Sequence, residues 1–205
     1  MTVDKRPGAR VDRPEPEKQR LLRDAVASET EAHRLLLAGE ARRARDPLAR
    51  AARLYRGSWE AAGPRSFGRL IGMLKAAVLA GGGQPEARYV REQLGDNADS
   101  AASRYALALA ALVEGDGRLA RRAAAGLRGG GDAFARTADA IDAVASGDGV
   151  RYGRAVAAIV ADSESREAHL TGVAIADTAL VLARLAARRG IATDVDSPLL
   201  PLDLD

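Results

Sequence analysis

His33 and His169 are the only imidazoles in this 205-residue chain, and cysteine is absent. A zinc centre draws its His or Cys ligands from close pairs such as H-E-x-x-H, and neither histidine has such a partner in sequence. His33 follows Glu29 and Glu31 on a helical stretch and reads as solvent-facing. His169 closes the run "DSESREAH", where Asp162, Glu164 and Glu167 could hold a cation, although a charged connection between helices accounts for the same residues. Asp177 is the one charge among residues 173–183, and an acid in an apolar helix costs free energy unless it is paired. Burial would push its pKa up toward that of a general acid. Pairing with an arginine of a neighbouring helix, or a seat near a helix N-terminus, explains it without catalysis. No serine lies in G-x-S-x-G, and neither "GGGQPE" nor "RGGGDAF" is the phosphate loop G-x-x-x-x-G-K-[ST]. The expectation is a protein with no metal, no cofactor and no enzymatic activity.

Arginine is the remaining chemistry. Residues 34–56 carry seven (34, 42, 43, 45, 50, 53 and 56) against Glu40 and Asp46. At 100° per residue, Arg42, Arg45, Arg53 and Arg56 fall within an arc of about 80°, with Arg43 and Arg50 beside it. Ala44, Leu48, Ala51, Leu54 and Tyr55 take the other side. Guanidinium forks suit carboxylates and phosphates alike. The face is expected to meet an acidic protein surface; nucleic acid is the alternative, weakened by the lack of stacking aromatics on it. Arg42, Arg45, Arg50, Arg53 and Arg56 are the candidate contacts. Tyr55 and Trp59, the latter placed in a loop "RGSWEAAGP", are the candidate aromatic anchors. Asp46-Pro47 resembles an N-cap followed by proline in a first turn, which would start the helix only at Pro47 and spoil the arginine register.

The elements that must position these residues are helices. Aromatics are 3% of the chain and alanine supplies much of the 47% that is hydrophobic, a composition that suits helix packing and not strands. The length fits one domain. The absence of cysteine suits a reducing compartment, the first twenty residues lack the apolar core of a signal peptide, and no apolar run is long enough to span a bilayer. A cytoplasmic protein is expected. Residues 1–16, with Pro7, Pro14 and Pro16, read as a disordered lead-in to a single domain over 17–205. The last fourteen residues carry four Asp and no base, and are expected to lie back on a basic surface.

"VEGDGRLARRAAAGL" (113–127) and "ASGDGVRYGRAVAAI" (145–159) make nearly the same turn twice. With "GGG" at 81–83, three Gly-rich turns recur at intervals of 34 and 32 residues, each between two helices. Helices are expected at about 17–38, 65–80, 84–94, 99–114, 118–128, 133–146, 150–161 and 173–189. A two-helix period of this length indicates a stacked array of hairpins, each burying its apolar face on the next. The final helix is apolar on most sides, and Pro198 and Pro201 forbid another, so Leu199, Leu200 and Leu202 are expected to cap the array within an extended 190–205 segment.

On Gly115-Asp116, Ala108 and Ala120, and on Gly147-Asp148 and Ala140, the chain resembles the tetratricopeptide-repeat family over residues 65–161. Tyr152 replaces the early Ala of the second unit's return helix, and both units lack the terminal Pro. The resemblance implies an all-α superhelical array of helix-turn-helix hairpins that binds a protein partner. Residues 170–204, through Arg188, Arg189, Gly190, Ser197, Pro198, Leu200 and Pro201, are also similar to the end of a bacterial polymorphic-toxin immunity family, the one numbered forty-nine. That likeness implies neutralisation of a cognate toxin.

Overall fold

The two Gly-Asp-Gly turns are one device used twice. Gly115 and Gly147 close α5 (Ala101–Glu114) and α7 (Asp132–Ser146) with φ of 84° and 73°, a left-handed conformation that side chains with a Cβ resist. The amide of Asp116 reaches back to the carbonyl of Ala111 at 2.9 Å, and that of Asp148 to Ala143 at 3.0 Å. Each aspartate then caps the next helix. Asp116 accepts from the Leu119 amide at the start of α6 (Gly117–Ala125), and Asp148 from the Arg151 amide at the start of α8 (Gly149–Glu164). One helix ends and its successor begins within three residues.

The structure, a computed structural model, describes residues 16–95, 98–192 and 195–202, which are all-helical with no strand among them. The other α-helices are α1 (Glu17–Leu37), α2 (Ala41–Ala62), α3 (Phe67–Leu79), α4 (Gln84–Leu94) and α9 (Asp177–Ala187). The expected lead-in falls outside the described residues except for Pro16, which precedes α1. Three of the four tail aspartates also fall outside; Asp196 is exposed.

Consecutive helices pack as hairpins, and α3, α5, α7 and α9 also pack side by side. Lys75 and Gly83 of the first hairpin meet Tyr105 and Val113 of the second, so α3 and α5 run the same way. Asp177 and Arg188, at the two ends of α9, meet Lys75 and the carbonyls of Gly81 and Gly82, so α9 runs parallel to α3 as well. It packs on both α3 and α7, which closes the row into a ring of four. An array of hairpins left open would present a groove on this side. Here α9 fills it with Leu180, Val181, Leu182 and Leu185, all buried.

The turns stack as well. A Cβ on Gly117 would lie 2.8 Å from the carbonyl oxygen of Ala145, in the last turn of α7. The second glycine of this turn is thus the seat of the next hairpin. The same position in the next turn, Gly149, has only the Ile191 side chain at 3.7 Å. Gly117→Ala is therefore expected to cost about 2 kcal/mol, as an overpacked core does, and Gly149→Ala to be near neutral, both read from urea unfolding.

Three sequence expectations are corrected. Pro47 does not start a helix: α2 runs unbroken from Ala41 with Pro47 inside it. The amide hydrogen bond it forgoes is offset by burial between Ala44 and Leu48, and its carbonyl accepts from Ser28 Oγ at 2.9 Å. The last helix begins at Asp177, because residues 165–176 cross the array as a loop before it. Of the expected cap, Leu200 is buried and Leu199 half-buried, while Leu202 stays exposed. The crossing is pinned by Ala176 N–H donating to the Leu199 carbonyl at 2.8 Å.

Candidate interaction surface and the polar cluster beneath it

Because α2 is continuous, the arginine register holds. Arg42, Arg43, Arg45, Arg50, Arg53 and Arg56 are all exposed. Three are committed within the fold. Arg43 pairs with Glu40; Arg50 donates to Ser28 Oγ at 2.8 Å and Glu31 at 3.1 Å; Arg56 pairs with Glu60 at 3.0 Å and lies 4.0 Å over the Tyr89 ring. Arg42, Arg45 and Arg53 have no hydrogen-bond or ion-pair partner among the described residues. They span about 16 Å of helix at 1.5 Å per residue, with Asp46 exposed beside them.

The two aromatics expected as anchors are not on that face. Tyr55 is buried, and its hydroxyl donates to Glu29 at 2.7 Å. Trp59 is inside α2 and not in a loop; it is buried on Phe67, ring centroids 5.8 Å apart, on the floor of an open cavity of about 820 Å³. Both hold α2 down on the core. The apolar stripe that Ala44, Leu48 and Ala51 form with Tyr55 requires this, since the same stripe faces the core.

Beneath α2 lies a cluster of charged groups. Glu29 and His33, one turn apart on α1, are 4% and 2% exposed, so His33 is not solvent-facing as its neighbours in sequence suggested. Asp177 does pair across the fold, but with Lys75 of α3 and not with an arginine, at 2.8 Å. Lys75 also donates to Thr178 Oγ1 at 2.8 Å, and Thr178 takes a longer bond from the Tyr105 hydroxyl at 3.4 Å. The Lys75 side chain is 12% exposed and that of Asp177 34%, the aspartate reaching the wall of a cavity of about 140 Å³. Burial works against charge on both. For Asp177 the Lys75 ammonium, then His33 and the Thr178 amide, outweigh it and hold the carboxyl below its ordinary value. For Lys75 the Asp177 charge and the Tyr105 ring outweigh it and hold the ammonium above its own. Asp177 is therefore half of a structural ion pair, at the first turn of α9 where a carboxylate is favoured.

No family model matches the chain, and no curated protein or solved structure does. The acidic run near His169 is divided among other duties. Asp162 pairs with Arg136 and Arg166, and Glu164 accepts from Ser197 at 2.7 Å. Among the described residues no group of three or more His, Asp or Glu side chains is placed to hold a metal ion. No helix among them is long and apolar enough to cross a membrane. Arg188 and Arg189 donate to the carbonyls of Gly81, Gly82 and Leu112 and so tie the end of α9 to α3 and α5.

Proposed function

We propose that this protein is a non-catalytic recognition module, a tetratricopeptide-like helical-repeat scaffold that presents the arginine face of α2 to an acidic protein surface. The observation that carries the reading is the contrast within one helix. Arg43, Arg50 and Arg56 are spent on internal carboxylates and hydroxyls, whereas Arg42, Arg45 and Arg53 stand exposed without a partner among the described residues. That α9 packs between α3 and α7 on the groove side favours this outer face over a concave channel in the reading. Toxin neutralisation is the specific form of the reading; it rests only on the resemblance drawn from the sequence at Arg188, Arg189, Gly190, Ser197, Pro198, Leu200 and Pro201.

Nucleic acid is the competing ligand for the same three side chains. With Tyr55 and Trp59 buried, the face has no stacking platform for bases. Fluorescence titration of labelled single- and double-stranded DNA and RNA, across a salt series, tests this. The proposal expects only weak binding that vanishes by physiological salt. Tight binding that falls by several decades with salt, and is lost on replacing the three arginines by alanine, would overturn it in favour of phosphates.

A further inference from the structure

The cavity of about 140 Å³ that Asp177 reaches lies between α5, α7, α8 and the first turn of α9, apart from the arginine face of α2. Its apolar wall is Tyr105 and Phe134, which meet edge to face with ring centroids 6.3 Å apart, together with Ala133 and Ile159. The Tyr105 hydroxyl is spent on Thr178 Oγ1, so the phenol offers the cavity its ring. An apolar cavity of about 150 Å³ takes up a benzene molecule, and the space here suits an apolar body of that size. Ala133 and Arg166 are exposed and mark its mouth.

The polar wall is short of negative charge. Asp162 holds two arginines at once, Arg136 on Oδ1 and Arg166 on Oδ2. Asp177 is committed to Lys75. Three cations therefore stand against two carboxylates, an excess of one positive charge on groups that line the cavity or bind one that does. Glu164, the next acid in α8, accepts from Ser197 and does not line the cavity. The open side-chain donors are guanidinium N–H groups. Thr137 and Ser163 give their hydroxyl protons to the carbonyls of Ala133 and Ile159, each at 2.9 Å. Arg136 and Arg166 each give Nη2 to Asp162, and their Nε and Nη1 groups have no acceptor among the described residues. Two guanidinium forks fixed side by side on one carboxylate are arranged to take a second.

We propose that this cavity binds a small monocarboxylate whose apolar body is about the size of a benzene ring. The carboxylate sits on Arg136 and Arg166, and the body lies against Tyr105 and Phe134. The charge of such a ligand cancels the excess that Asp162 leaves, which a neutral molecule of the same shape cannot do. A mostly apolar pocket with a few convergent polar groups is the usual form of a small-molecule site.

Sodium benzoate is the probe, titrated into the full chain and followed by backbone amide chemical shifts. The expected result is saturable binding with a dissociation constant of about 1 mM or tighter, with the largest shifts at Phe134, Arg136, Asp162 and Asp177. Benzamide has the same shape without the charge and is expected to bind about tenfold more weakly. Arg166→Gln removes one fork at an exposed position and should weaken benzoate by a similar factor. Ala133→Leu, also exposed, should abolish binding by filling the mouth. The combined Arg42→Ala, Arg45→Ala and Arg53→Ala variant should bind benzoate as the unsubstituted chain does, so that this site and the arginine face are read separately. No saturable shift at these residues up to about 10 mM benzoate, equal binding of benzamide, or unchanged binding by either cavity variant would overturn the proposal. So would a triple variant that binds benzoate as weakly as Arg166→Gln, because the anion would then be sampling surface charge alone.

Discussion

A chain that ends after Glu164 is expected not to fold cooperatively. In an open stack of hairpins the loss of the last helix would expose one face and shorten the array by a fraction, because each unit contacts only its neighbours. Here α9 closes the ring between α3 and α7 and buries Leu180, Val181, Leu182 and Leu185 on them. At about 2 kcal/mol for each such side chain these four contribute about 8 kcal/mol, against the 5–15 kcal/mol by which a whole domain is stable. The truncation also strips Asp177 from Lys75 and Arg189 from the Leu112 carbonyl. Circular dichroism of the shortened chain should show no cooperative thermal transition. A sharp transition within about 10 °C of the full chain, a shift of only a few kcal/mol, would mean that the ring is not the unit of stability.

The second large effect is at Lys75. Replacing it by methionine keeps the length of the side chain and removes the charge, leaving Asp177 with hydrogen bonds from the Thr178 amide and hydroxyl and no salt-bridge partner among the described residues. Breaking one side of a buried pair costs about 3–5 kcal/mol. Asp177 is a third exposed to its cavity, which places the expected loss near the lower figure, about 3 kcal/mol. The double variant Lys75→Met with Asp177→Leu should recover much of that loss, since an apolar replacement of both partners leaves no orphan charge. Urea midpoints of the single and double variants measure this. A single variant within about 0.5 kcal/mol of the unsubstituted chain, the range of ordinary surface changes, would show that the pair contributes little.

The hairpins were legible in sequence because glycine and aspartate carry backbone instructions. Gly115-Asp116-Gly117 and Gly147-Asp148-Gly149 stop and restart helices wherever they occur, so the helices around them fall close to the positions read from sequence. Closure was not legible. Whether stacked hairpins stay open or meet depends on small rotations summed over three units, and no residue encodes that sum. Pro47 misled because its local preference for a first turn was overridden by the packing of Ala44 and Leu48 on either side. Tyr55 and Trp59 misled for a related reason: an aromatic near a basic face looks like an anchor, but both sit on the apolar stripe of α2.

The polar cluster was half visible. Asp177 stood out as a lone charge in an apolar helix, and the same reasoning applied to Lys75 in "LIGMLKAAVLA" would have found its partner. Two isolated opposite charges in two apolar helices are a pairing signal that neither gives alone. Glu29 and His33 were hidden, because "ASETEAHR" is polar throughout and nothing in it marks which residues turn inward. Their burial follows from where the crossing segment lands on α1.

The measurement that bears most directly on the recognition reading is a nuclease-treated pull-down from the native host, run in parallel with the full chain and with Arg42→Ala, Arg45→Ala and Arg53→Ala combined. A charge-assisted hydrogen bond contributes about 1.5 kcal/mol or more, so loss of three should weaken binding by about 4 kcal/mol, roughly a thousandfold. The predicted result is one protein retained in stoichiometric amount by the unsubstituted chain and absent from the triple variant. Equal retention by both, with the variant folded, would contradict the account, because the arginine face would then have no part in what the protein binds.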